Sequence, residues 1–128
     1  LVGLPVWLWT TVSPSTWGPT SATAAVPGLS VTATARAQKI VWDMGDGHSV
    51  TCTTPGTAYS TSKGAAASPT CGYRYTRSSA SQPGSAYTVT ATTTWSVTWA
   101  GGGQSGVLTV SRTSTTSVRI GELQVLVS

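Results

Sequence analysis

The clearest pattern in the chain runs from Tyr87 to Trp99. Odd positions there read Tyr, Val, Ala, Thr, Trp, Val, Trp, and every even position is Thr or Ser. Strict alternation over that length predicts one long antiparallel strand, packed on one face and wetted on the other. A slip of one residue would expose Trp95 and Trp99, so its register must be closely fixed. Leu29 to Ala37 alternates in the same way, with Leu29, Val31, Ala33 and Ala35 on one face and Ser30, Thr32 and Thr34 on the other. Those small side chains leave room for a large one opposite, and Trp42 is the expected occupant. By contrast, Val6-Trp7-Leu8-Trp9 shows no alternation, so a strand over residues 5–12 would need cover on both faces. A short strand is expected at 20–25, and others at 48–53, 71–76 and 107–112. Val118 and Ile120 share a phase that shifts after Gly121 to Leu123, Val125 and Val127, as a β-bulge would produce. No helical period of useful length appears. The expectation is all-β: a two-sheet antiparallel sandwich in one domain, 1–128, with extra strands at both ends.

Breaker clusters separate these runs. Residues 13–27 hold Pro14, Trp17-Gly18-Pro19 and Pro27, and residues 54–70 hold Pro55-Gly56, Lys63-Gly64 and Ser68-Pro69. Residues 77–85, with Pro83-Gly84, read as a polar turn, and the Gly-rich 100–106 as a flexible hairpin loop. The stretch Lys39-Ile40-Val41-Trp42-Asp43-Met44-Gly45-Asp46-Gly47 is an apolar strand that breaks into a tight turn. Trp42 is placed to fill a core. Asp43 and Asp46 are short acceptors that suit bonds to the turn's own N–H groups, and Gly45 and Gly47 permit the bend.

Trp-Asp-Met-Gly-Asp-Gly at 42–47 resembles the Trp-Asp-Phe-Gly-Asp-Gly signature of PKD domains, small immunoglobulin-like β-sandwiches of surface and secreted proteins. Gly84-Ser85-Ala86-Tyr87-Thr88-Val89 is similar to the family's later Gly-x-Tyr-x-Val segment, and Gly72-Tyr73-Arg74-Tyr75 to the short strand between the two, with Tyr73 where the family commonly has His. Met44 in place of Phe is an exchange a core tolerates. The resemblance spans about 29–111 and implies the fold and an extracellular setting. It implies little about activity.

Composition narrows the function classes. Only 8% of residues are charged, against about 25% in an average domain, and Ser and Thr supply about a third of the chain. The chain has no Phe and six Trp, a bias expected of a GC-rich, actinobacterium-like source. The net charge of +4 arises from seven basic residues that form no run, which argues against a nucleic-acid partner. No stretch reaches the ~18 apolar residues of a membrane-spanning helix. Any export signal is expected to have been removed ahead of Leu1. Cys52 and Cys71 are the only cysteines, and their spacing is not that of a metal site. A disulfide between them would stabilise by about 3 kcal/mol and imply an oxidising compartment, the alternative being two buried thiols.

Candidate chemistry is sparse. Asp43 and Asp46 supply too few oxygens for a calcium site that needs about six to eight. Glu122 is the one remaining acid, and a turn offers no cleft for a carboxylate pair across a sugar. His48 beside Asp46 permits a nucleophilic triad only on paper, since no G-x-S-x-G elbow exists. No G-x-x-x-x-G-K-[ST] phosphate loop is present either. No catalytic residue, metal or cofactor is therefore expected. The tryptophans are the better lead: Trp7, Trp9 and Trp17 exceed what a small core requires and form the candidate interaction surface. The expected role is a non-enzymatic extracellular structural module, secreted or at the cell surface. Its expected partner is a protein, including copies of itself joined into an oligomer or fibre through apolar terminal strands. The alternative is a carbohydrate-binding module that stacks polysaccharide on exposed Trp.

Overall fold

The structure is a computed structural model that describes residues 2–121. Seven strands follow in chain order: β1 Pro5–Trp7, β2 Thr20–Val26, β3 Leu29–Asp43, β4 Ser49–Cys52, β5 Gly72–Arg74, β6 Tyr87–Gly101 and β7 Gln104–Val118. They form two antiparallel sheets. The larger runs β2-β3-β6-β7, with β4 also paired to β3, and the smaller is the pair β1-β5. The expected all-β, two-sheet sandwich is what the chain adopts.

Two predicted strands prove to be one. Residues 29–37 and 39–42 belong to a single fifteen-residue β3, which slips register against β6 between Ala37 and Lys39. Gln38 is the extra residue, and its insertion keeps Ala37, Ile40 and Trp42 on the same face of the sheet. Partners across β3 and β6 also differ from expectation: Ala33 faces Trp99, Ala37 faces Trp95, and Trp42 faces Ala91. The small residues of β3 thus leave room for the tryptophans of β6, while Trp42 packs lower down.

The long hairpin β6-β7 pairs without interruption from Tyr87↔Val118 to Gly101↔Gln104. The expected loose loop at 100–106 is a two-residue turn, Gly102-Gly103, with φ of +61° and +76°. Positive φ at both central residues is what a type I′ hairpin turn demands, and only glycine adopts it freely. Beyond Gly121, the predicted bulge and the apolar positions Leu123, Val125 and Val127 lie outside the described residues, as does Glu122.

The core sits at one end of the large sheet. Leu8, Ile40, Trp42, Met44, Tyr75, Tyr87, Val89 and Ile120 form it, with the Cys52–Cys71 disulfide at its side. That bond joins the end of β4 to the residue before β5 and so fastens one sheet to the other. The cover over this core is short. The strand expected over 5–12 ends at Trp7, after which Leu8 N–H bonds Cys71 O at 3.1 Å and Thr10 N–H bonds Pro55 O at 2.9 Å. The chain thereafter follows loop backbone in place of a sheet edge. Three-residue strands therefore roof one half of fifteen-residue strands.

Candidate interaction surface

The acidic turn is a closed structural unit. Asp43 Oδ1 accepts the Gly45 N–H at 3.0 Å, Asp46 Oδ1 accepts the His48 N–H at 3.0 Å, and Met44 N–H bonds His48 O at 3.0 Å. Gly45 has φ +78°, and a Cβ there would lie 2.5 Å from Thr88 O, so glycine is needed for both conformation and space. Two tyrosines seal the turn from the core side. Tyr73 Oη donates to Asp46 Oδ2 at 2.5 Å and Tyr75 Oη donates to Met44 O at 2.8 Å. Tyr75 stacks on Tyr87 with centroids 4.5 Å apart and meets Tyr73 edge-on at 5.0 Å. Burial first, then the hydrogen bond and negative charge of Asp46, push the Tyr73 phenol up to about 12. The same two causes, burial and then the Asp46 charge, raise Tyr75 further.

This wiring bears on catalysis. Each carboxylate already serves backbone donors, and the 3.5 Å contact of His48 Nδ1 with Asp46 Oδ1 leaves the imidazole turned outward, 68% exposed. Among the described residues no three His, Cys, Asp or Glu side chains gather as a metal site would require.

The three candidate tryptophans separate. Trp7 is buried, its Nε1 donating to Ala66 O at 2.8 Å and its ring meeting Tyr59 edge-on at 5.3 Å. It pins the long 54–70 loop and offers no contact surface, which corrects the sequence reading. The reason is that β1 ends there, so Trp7 and Trp9 no longer share a face. Trp9 is 39% exposed. Trp17 is half-buried against the core, and its carbonyl accepts the Ala37 N–H at 3.1 Å.

An open apolar surface lies elsewhere. Past the edge of the small sheet, β2, the first half of β3, the second half of β6 and the first half of β7 continue as a bare four-stranded arm. Its registers place Ala22, Ala33, Trp99 and Gly106 in one row across the sheet. Ala35, Val97 and Leu108 share the next row, and Ala24 and Val31 lie in a further one toward the tip; the row of Ala37, Trp95 and Val110 forms the foot, where Trp95 is already buried beneath Gly18. Val26 and Leu29 end this face, 61% and 45% exposed, and Leu108 is 58% exposed. The opposite face is hydroxylic, with Ser21 bonded to Thr34 and Thr23 to Thr32 at about 3 Å. At the foot of the apolar face, Pro14, Ala35, Trp95, Val97, Val110 and Arg112 line an open hollow of about 440 Å³. The alternation of 29–35 and 95–99 announced this face. What the sequence did not announce was that the cover supplied by residues 2–121 would stop at Trp95, which is buried beneath Gly18, and leave the rows beyond it open.

No family model, curated protein or solved structure matches this chain. The function therefore rests on the surface itself.

Proposed function

We propose that this chain is a non-enzymatic, extracellular structural module of the PKD kind, and that it associates with a second copy of itself through the bare apolar face of the arm. The observation that carries the reading is the continuity of that face. It is the same side of the sheet that forms the core lower down, and it carries on past the roof with Ala, Val, Leu and Trp. Two such faces packed about 10 Å apart would make the sandwich that one copy leaves half-built.

Area and charge favour a second copy as the occupant. Four strands at about 4.8 Å spacing and seven residues at about 3.4 Å rise give about 450 Å² per face. Two faces bury about 900 Å², just under the ~1,000 Å² that a specific interface usually needs. The association should accordingly be weak and concentration-dependent. None of the apolar rows above Arg112 carries a charge, so no like-charged side chains meet within this contact. The Cys52–Cys71 disulfide is compatible with an extracellular setting, and the Trp-Asp-Met-Gly-Asp-Gly turn supports the PKD likeness.

Ala22→Asp tests the reading. Ala22 is exposed in the monomer, so the change leaves the fold intact, yet it places a carboxylate opposite Ala33 in the centre of the proposed contact. Light scattering after size exclusion should show wild-type mass rising with concentration and at least a tenfold weaker association for the variant. A wild-type monomer at millimolar concentration, or an unchanged variant, would overturn it.

A further inference from the structure

The large sheet has two sides, and they are defended very differently. On one side, β2 is seven residues long with Pro19 and Pro27 immediately beyond its ends, and β4 is four residues long. Short strands and flanking prolines are the usual means of keeping an edge from recruiting another chain. On the other side lies β7, fifteen residues with no proline and no register shift against β6. Arg112 is its one charged residue, and no described residue pairs with its outer edge.

Which backbone groups face outward follows from the turn. Gly101 and Gln104 flank a two-residue loop and so exchange both hydrogen bonds with each other. Even-numbered residues of β7 therefore bond β6, and Ser105, Val107, Thr109, Ser111, Thr113, Thr115 and Ser117 direct their N–H and C=O groups away from the sheet. From this geometry we infer that β7 is a second self-association site, at which the β7 edge of another copy adds in antiparallel fashion across a two-fold axis. This contact is separate from the face pairing above and does not depend on it.

The side chains favour one register. With the axis at Thr109, Leu108 lies opposite Val110 of the other copy, both on the apolar face. Val107 lies opposite Ser111, and Arg112 lies opposite Gly106. No charge meets a like charge, and Leu108 and Val110 fall at non-hydrogen-bonded positions, where cross-strand contact is closest. Residues 104–114 of the two copies would then share about ten main-chain hydrogen bonds. A five-stranded sheet becomes a ten-stranded one, with the two bare arms pointing in opposite directions.

Cysteine placement reads the register directly. Residues facing each other across the axis in a hydrogen-bonded pair have Cα atoms about 5.5 Å apart, within reach of a disulfide. Under mild oxidation Thr109→Cys should form a covalent dimer at least tenfold faster than Thr115→Cys, whose two copies would lie about 40 Å apart at about 3.4 Å per residue. Thr109→Pro removes only an outward N–H and spares the ladder to β6, so far-UV circular dichroism should be unchanged while edge pairing is lost. Both measurements are made in the wild-type and Ala22→Asp backgrounds. Dimerisation that survives Ala22→Asp and disappears with Thr109→Pro supports the edge contact, whatever becomes of the face contact. Equal cross-linking rates at positions 109 and 115, or an Ala22→Asp protein that is monomeric at every concentration, would overturn it.

Discussion

Among the described residues Ser79 is the one buried polar or charged residue outside the hydrophobic core set, 2% exposed, and replacing it with alanine should cost more than most deletions of a single atom. Its hydroxyl does two jobs. It donates to Ser85 O at 2.8 Å and accepts the Ile120 N–H at 2.9 Å, so one oxygen ties the 77–85 turn to the chain leaving β7. The Ser79 main-chain N–H bonds Ile120 O at 2.9 Å and would survive the substitution. Ser79→Ala therefore orphans one buried donor and one carbonyl. A buried donor left without a partner costs about 1–3 kcal/mol, and the carbonyl adds less, so about 3 kcal/mol is the central value. With about 2.1 cal/mol/K of unfolding entropy per residue, 128 residues give about 270 cal/mol/K, and the midpoint should fall by about 11 °C. Urea titration and calorimetry measure both quantities, with exposed Ser81→Ala expected to stay within about 0.5 kcal/mol of wild type. A loss below about 1 kcal/mol for Ser79→Ala would show that the two backbone groups find other partners, and would refute the clamp.

Two further outcomes follow from the tyrosine and disulfide contacts. Tyr73, with its pKa raised from 10.0 to about 12, holds its proton longer in the folded than in the unfolded chain. Stability should thus be insensitive to this group below pH 10.0 and fall as pH rises from there toward about 12. Tyr73→Phe should lower stability at neutral pH through loss of the Asp46 bond and flatten that alkaline decline, as read by denaturant titration against pH together with tyrosinate absorbance; an unchanged slope would disprove the assignment. Reducing Cys52–Cys71, which are 19 residues apart in sequence, should cost about 3 kcal/mol on the loop-entropy argument. A Cys52→Ala/Cys71→Ala protein whose denaturant midpoint matches wild type would show that the two sheets need no such fastening.

Much of the lower half was legible because its signals are local. Alternation fixed β6, and the Gly45-Asp46-Gly47 turn fixed the hairpin with its two self-bonded carboxylates. The two cysteines could pair only with each other. The arm was misjudged for a reason of longer range. Alternation at Leu29–Ala35 and Val97–Trp99 reports that one face is apolar, but it cannot report what lies on that face. The strand expected over 5–12 would have been one candidate cover. In the structure Trp7 turns into the 54–70 loop and Leu8 into the core, and the segment is spent before it reaches the arm. Ser79 gave no signal at all, being one serine among many; only its distance to Ile120 distinguishes it. The Gln38 bulge was equally silent, since each half of β3 reads as a satisfactory strand by itself.

The mismatch in length between the two layers also divides the dynamics of the molecule. A single strand, β6, begins at the enclosed Tyr87 and Val89 and ends at the tip of the arm at Gly101. Its amides near the disulfide can exchange with solvent only when the whole domain opens, whereas those near the Gly102-Gly103 tip need only the end of one ribbon to part. Fraying thus has a fixed origin and direction, from the glycine tip downward, and Trp95, held under Gly18, marks where it stops. Anything that grips the arm would slow that unzipping without touching the core beneath it.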